Sequence, residues 1–140
     1  MDRPLLERIR ERGWRVTPQR RAIAGAFDGE HVHLTAFDVH QRALAVLPEV
    51  SLATVYNTLN ELVAAGEVRE VDFLPGPARY DPNVGPEPHH HVLCTTCGSL
   101  FDVRPEGVHG LALPDAERHG VEVTGVQVLF HGTCRDCSAH

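Results

Sequence analysis

No stretch of this 140-residue sequence approaches the roughly 18–20 consecutive apolar residues that a membrane span needs. No charged-then-apolar leader opens it either. These two absences predict a cytoplasmic chain with no membrane partner, in a compartment where thiols stay reduced. Excess positive charge is lacking too: the net charge is −6, which argues against a generally basic nucleic-acid binder. No nucleophile–base pair and no signature of a large cleft can be read, which argues against an enzyme. The length leaves room for one ordinary domain or two small ones.

Cysteine is scarce, and its placement is informative. All four cysteines fall in two Cys-x-x-Cys pairs, Cys94/Cys97 and Cys134/Cys137, with none left over. Two intervening residues let both thiolates reach one ion from a single tight turn. Two such knuckles close a tetrahedral zinc site with no position left for substrate. Gly98 directly after the first pair suits the positive-φ turn such knuckles use. The 36 residues from Gly98 to Thr133 are more than a compact zinc ribbon holds, so the metal would staple a small folded unit. The alternatives are redox dithiols or two disulfides. A redox pair usually follows a strand and opens a helix, whereas Cys97-Gly98 leads into an apolar, strand-like run.

Positive charge is local. Residues 1–27 carry seven arginines against three acids, and residues 81–140 carry three arginines against eight acids. The same basic end shows helical punctuation. Leu5, Leu6 and Ile9 have helical spacing, and Gly13 ends that segment. Thr17-Pro18 reads as an N-cap with proline at the first helical position, and Gly29 stops the helix it opens. Thr35 caps a third helix through about Val46, with Asp38 placed for the dipole. Ser51 caps a fourth, whose Val55, Leu59, Leu62 and Val63 form an apolar stripe closed by Gly66. Val68–Leu74 and Ala78–Asp81 then read as a hairpin around Pro75-Gly76-Pro77. Helices followed by a hairpin are the order of a winged helix, with a helix-turn-helix between the third and fourth helices.

The pattern changes after a proline-rich hinge. Val92–Leu93, Leu100–Val103 and Val121–Phe130 read as strands, with only a short helix near Pro114–Arg118. The expected fold class is therefore α+β: a winged-helix DNA-binding domain over residues 1–80, a hinge at 81–88, and a smaller α/β domain over 89–140 stapled by the four cysteines. A unit that small needs a metal or a partner subunit for stability.

Opposite its apolar stripe, the fourth helix carries Ala53, Thr54, Tyr56, Asn57 and Asn60. Asparagine can pair bidentately with adenine in the major groove, and small or methyl-bearing residues can touch thymine. Tyr56 suits a base edge or a phosphate. Arg15, Arg20 and Arg21 are placed to grip phosphates of double-stranded DNA, with Ser51 and Thr54 at the helix start. A solvated polar face with no partner is the competing reading.

A second constellation consists of His33, Asp81, His89, His91 and Asp102. His89 and His91 are two apart, so on a strand they share a side. Imidazole plus carboxylate suits iron, manganese, nickel or zinc rather than a thiol-loving ion. A surface histidine cluster is the alternative.

The sequence resembles the ferric uptake regulator family over nearly its whole length. The resemblance is carried by Arg15-Val16-Thr17-Pro18-Gln19-Arg20, Ser51-Leu52-Ala53-Thr54-Val55-Tyr56, the His-x-His-x-x-Cys-x-x-Cys-Gly run from His89 to Gly98, and the final Cys-x-x-Cys. It implies a homodimeric, metal-dependent transcriptional repressor of operator DNA, with one structural zinc and one regulatory ion, ferrous iron or manganese, per subunit. It places the regulatory ion on His33, Asp81, His89, His91 and Asp102. Aspartate at both carboxylate positions, and Asn57 where uptake regulators usually carry arginine, resemble the peroxide-sensing branch. That branch implies control of catalase-type oxidative-stress genes, with peroxide oxidising His33 or His89 at the metal and no other small-molecule substrate. The alternative is a repressor that senses iron, manganese, nickel or zinc supply, and the extra His90 leaves a nickel-type site open. Some members hold a further metal site, but Thr133 and His109 replace ligands there, so none is expected. Pro105, Gly107, Gly110 and Pro114 break what is usually a longer helix in the dimerisation domain.

Overall fold

The computed structural model describes residues 3–29, 33–72, 76–84 and 90–139. It divides into two compact units, Met1–Pro86 and Glu87–His140.

The first unit holds four helices and a small sheet: α1 (Leu5–Glu11), α2 (Pro18–Gly25), β1 (Leu34–Thr35), α3 (Ala36–Leu44), α4 (Leu52–Ala64), β2 (Arg69–Val71) and β3 (Arg79–Asp81). The caps fall where side-chain chemistry puts them. Thr17 accepts from the Arg20 N–H, Thr35 and Asp38 form a reciprocal capping box, and Ser51 accepts from the Thr54 N–H. Each satisfies backbone donors that a helix start leaves orphaned. Gly66 sits at φ +77°, the left-handed conformation that ends α4. α2 stops at Gly25, short of the expected Gly29, and its trailing Ala26 carbonyl is held by Arg42 of α3 at 2.9 Å.

One core serves the unit. Ile9 of α1, Ile23 of α2, Val39 of α3 and Val55, Leu59 and Leu62 of α4 are essentially sealed from solvent. Truncating any of the larger ones to alanine costs about 2–5 kcal/mol. His40 Nε2 lies 3.0 Å from the Val50 carbonyl and ties α3 to the turn before α4. The sheet runs β1-β3-β2, all antiparallel. β1 escapes a sequence reading because two residues ending in a helix cap show no alternation. Asp81, where the expected returning strand meets the expected hinge, is the last residue of β3, opposite Arg69. The strand alternation runs on through Tyr80-Asp81, and the chain leaves the sheet only at Pro82, which has no N–H to donate.

The second unit is a sheet of order β5-β4-β6, from β4 (His90–Cys94), β5 (Leu100–Val103) and β6 (Leu129–Gly132), followed by a one-turn helix α5 (Arg135–Ser138). β5 pairs antiparallel with β4, and β6 pairs parallel with it. The long strand expected over Val121–Phe130 shortens to Leu129–Gly132. Val121, Val123 and Val126 stand exposed with no strand pairing among the described residues. The expected helix near Pro114–Arg118 is a single 3₁₀ turn, Asp115–Glu117, preceded by another at Val108–Gly110. No helix among the described residues is long and apolar enough to cross a membrane.

Candidate metal centres and nucleic-acid interface

The four thiols converge. Cys94 ends β4, and the turn beyond it closes through the Gly98 N–H on the Cys94 carbonyl at 2.8 Å, with Gly98 at φ +81°. Cys134 caps α5 and Cys137 lies on it. All four cysteines are free, and their sulfurs lie within 4.8 Å of one another. Cys97 Sγ and Cys134 Sγ are 3.8 Å apart. A tetrahedral ion with bonds of about 2.3 Å to sulfur requires an edge of about 3.8 Å. The Cys97–Cys134 separation matches that edge, and the convergence of all four sulfurs suits a tetrahedral zinc ion.

Its electrostatics also call for a cation. Backbone N–H groups of Cys97 and Cys134 point at Cys94 Sγ from 3.5 and 3.3 Å and pull that thiol down to about 6. The Ser99 hydroxyl beside Cys97 lowers that thiol as well. Cys137 goes the other way, to about 12, first through its contact with the Cys134 sulfur. Four sulfurs this close cannot all be anionic unless a cation holds them.

The mixed imidazole–carboxylate candidates form two pairs, one in each unit. In the first unit, the pairing of Leu34 with Tyr80 sets His33 beside Asp81, with His33 Nε2 3.2 Å from Asp81 Oδ2 and both side chains buried. The other oxygen, Oδ1, accepts from the Asn83 N–H at 2.8 Å. In the second unit, His91 and Asp102 stand directly opposite each other on β4 and β5, Nε2 to Oδ1 3.1 Å. Adjacent ligands of one ion with bonds of about 2.1 Å lie about 3.0 Å apart at a right angle, so each pair has the spacing of a chelating edge. His89 lies outside the described residues. His90 alternates to the face opposite His91, where its Nδ1 accepts the Val128 N–H at 3.0 Å. That bond fixes β6 in register and takes His90 away from the His91 side.

The interface residues of the first unit divide in two. Arg15, Arg21, Ser51, Tyr56 and Asn57 are exposed, and so are Ala53 and Asn60. Ser51 and Thr54 bond each other at 2.9 Å as well as capping α4, so their hydroxyls are engaged in starting the helix. Arg20 differs from the expectation of a free phosphate grip. Its guanidinium stacks 4.8 Å over Trp14, donates to the Arg15 carbonyl at 2.9 Å and approaches Glu61 at 3.4 Å. It braces the segment carrying Arg15 against α4, and the stacking alone is worth about 0.5–2 kcal/mol.

Sequence reasoning missed Ser99 beside the thiols, because a lone serine carries no spacing signal. It also missed a polar cluster behind the first pair: Arg8 of α1 and Arg12 at the C-terminal cap of that helix both hold Glu67, at 3.2 and 2.7 Å.

A winged helix with a polar-faced recognition helix, in one chain with a four-thiolate cradle and two imidazole–carboxylate pairs, defines a metal-responsive DNA-binding regulator. The chain belongs to the ferric uptake regulator family, whose model matches residues 11–131. Members are metal-binding transcriptional regulators that act as dimers on operator DNA, not enzymes. The chain is 33% identical over 138 residues to the peroxide operon regulator of Bacillus subtilis, covering 95% of this chain and 90% of that one. It is 32% identical over 133 residues to the ferric uptake regulation protein of Synechococcus elongatus, covering 92% and 89%. Among solved structures, a zinc-bound manganese uptake regulator superposes with a TM-score of 0.74 at 30% identity, over 94% of this chain and 99% of that one. The iron-bound ferric uptake regulator of Francisella tularensis gives 0.72 at 27%, over 90% and 96%.

Proposed function

We propose that this protein is a metal-activated repressor of the peroxide-sensing type. In this reading His33, Asp81, His89, His91 and Asp102 hold one regulatory ion, ferrous iron or manganese, and the four cysteines hold one structural zinc. The observation that carries it is the donor set. Each unit brings one aspartate within 3.2 Å of an imidazole, a nitrogen–oxygen donor pair with no thiolate, and such donors suit ferrous iron and manganese. All four cysteines are gathered elsewhere. The similarity to a peroxide operon regulator supports the same reading.

Residues 1–80 act as the DNA-binding domain, 81–88 as the hinge and 89–140 as the dimerisation and metal-binding domain. The ion selects one arrangement of the DNA-binding domains, and its loss shifts the population to another. Exposed Leu111, Leu113, Val121, Val123 and Val126 give the second domain an apolar surface for a partner subunit. Ferrous iron, held by these residues, would relay electrons one at a time from the ligand ring to peroxide with no net change of its own, the ring losing the two electrons that peroxide gains. Hydrogen peroxide then delivers one oxygen atom to the imidazole of His33 or His89 and leaves as water. The oxidised ring is a poorer ligand, so the site empties and the operators of catalase-type genes are released. Titrating operator DNA with the protein loaded with each divalent metal, with and without peroxide, tests this. Iron and manganese should both support binding, and peroxide should abolish only the iron-supported binding. A regulator of metal supply is the second reading, favoured by the likeness to a manganese uptake regulator. It requires binding that follows metal concentration and ignores peroxide.

On the DNA, Arg15 and Arg21 hold phosphates while Tyr56 and Asn57 face base edges. Asn57→Ala should cost about 1–3 kcal/mol on the operator and relax specificity. Arg21→Ala should weaken operator and random DNA alike and lower the salt slope by about one. Fluorescence anisotropy at several salt concentrations checks both. Equal losses of both variants on both DNAs would refute the division.

A further inference from the structure

We propose that Arg8 is a positioning residue that orients the Asp81 carboxylate through one peptide unit; the inference rests on Asp81 being a ligand of the regulatory ion. Arg8 lies on α1, far from β3 in sequence. Its Nη2 donates to the Pro82 carbonyl at 2.9 Å. That carbonyl and the Asn83 N–H belong to the same planar peptide. The Asn83 N–H donates to Asp81 Oδ1 at 2.8 Å. The guanidinium therefore holds one end of a rigid plane whose other end holds the carboxylate. With Oδ1 taken, Oδ2 is turned toward His33 Nε2 at 3.2 Å. The cationic donor also polarises the peptide, which strengthens the N–H as a donor to the carboxylate.

Arg8 is itself fixed. Nη1 donates to Glu67 Oε1 at 3.2 Å, and Glu67 is gripped from its other oxygen by Arg12 through two bonds, 2.9 and 2.7 Å. The Arg8 and Glu67 side chains are only 17% and 13% exposed. Pro82 completes the device, because its ring fixes φ and leaves the carbonyl as its only backbone polar group. Residues behind metal ligands typically change metal affinity 10–100-fold when removed.

The test uses the full-length, zinc-loaded protein, with manganese affinity read by isothermal titration and operator binding read at saturating manganese. Arg8→Ala should raise the manganese Kd roughly 10-fold or more, while operator affinity at saturating manganese stays within about twofold. Arg8→Lys, whose single ammonium cannot serve Pro82 and Glu67 together in the same fork, should show an intermediate loss and keeps the test open if the alanine variant folds poorly. Glu67→Gln removes the ion pairs and leaves the Pro82 bond, so it should lower the melting temperature with little change in manganese Kd. A parental manganese Kd in both Arg8 variants overturns the proposal. So does a loss in Glu67→Gln as large as that in Arg8→Ala, since general loosening of α1 would then explain both. Asp81→Asn separates the two levels. If it abolishes manganese binding while the Arg8 variants do not weaken it, only the positioning role fails. If it leaves manganese binding intact, the ligand assignment fails and takes the positioning role with it.

Discussion

Cys94→Ser or Cys137→Ser should abolish zinc retention and unfold the second unit or split the dimer. The reason lies in the thin packing of that unit. Of its apolar side chains only Cys94 and Leu100 are fully buried among the described residues. Residues 105–128 contribute two 3₁₀ turns and no strand. A sheet of three short strands with so little core needs further support to be stable, so zinc binding free energy would be folding free energy here. The cradle brings together the turn after β4 and the last helix, and the ion closes the loop of chain between them. A serine at either position leaves a three-sulfur site and an uncompensated hydroxyl. Metal content by mass spectrometry, with size-exclusion chromatography, checks the result. A variant that keeps one zinc per subunit and stays dimeric contradicts it.

If Asp81 is a ligand of the regulatory ion as proposed, Asp81→Asn should uncouple DNA binding from metal. The substitution keeps the shape of the side chain and an oxygen for the Asn83 N–H, but removes the charge. The loss of manganese affinity should exceed the roughly 10–100-fold typical of a residue standing behind a ligand. Operator affinity should then fall to the metal-free level at any manganese concentration short of saturation. Couplings of this kind run about 1–3 kcal/mol, or 5–150-fold. Anisotropy titrations with and without manganese measure it. A variant whose operator affinity still responds to manganese as the parent does would rule out Asp81 as a ligand.

Much of this architecture is legible in the sequence where one residue type has one physical use. Thr17, Thr35 and Ser51 cap helices because their hydroxyls satisfy N–H groups that nothing else reaches. The Cys-x-x-Cys pairs predict convergence because few other arrangements place four thiols usefully. His91 and Asp102 are legible as partners because strand alternation fixes their face. Three features lie beyond local pattern. β1 is too short to alternate and exists only through its pairing with β3. The Val121–Phe130 run alternates as a strand should, yet ladder pairing begins only at Leu129, where His91 finds its parallel partner. Arg20 reads as a phosphate grip and Arg8 as surface charge, and only the fold reveals Trp14 beneath one and the Pro82 carbonyl before the other.

The central claim, that the regulatory ion senses peroxide through its own ligands, is tested most directly by mass. Iron-loaded and manganese-loaded protein are treated with hydrogen peroxide, and peptides are mapped alongside operator binding. The account predicts one added oxygen atom on peptides containing His33 or His89, with loss of operator binding, in the iron-loaded protein only. Iron-loaded protein that keeps its operator through peroxide, with both histidines unmodified, would contradict it.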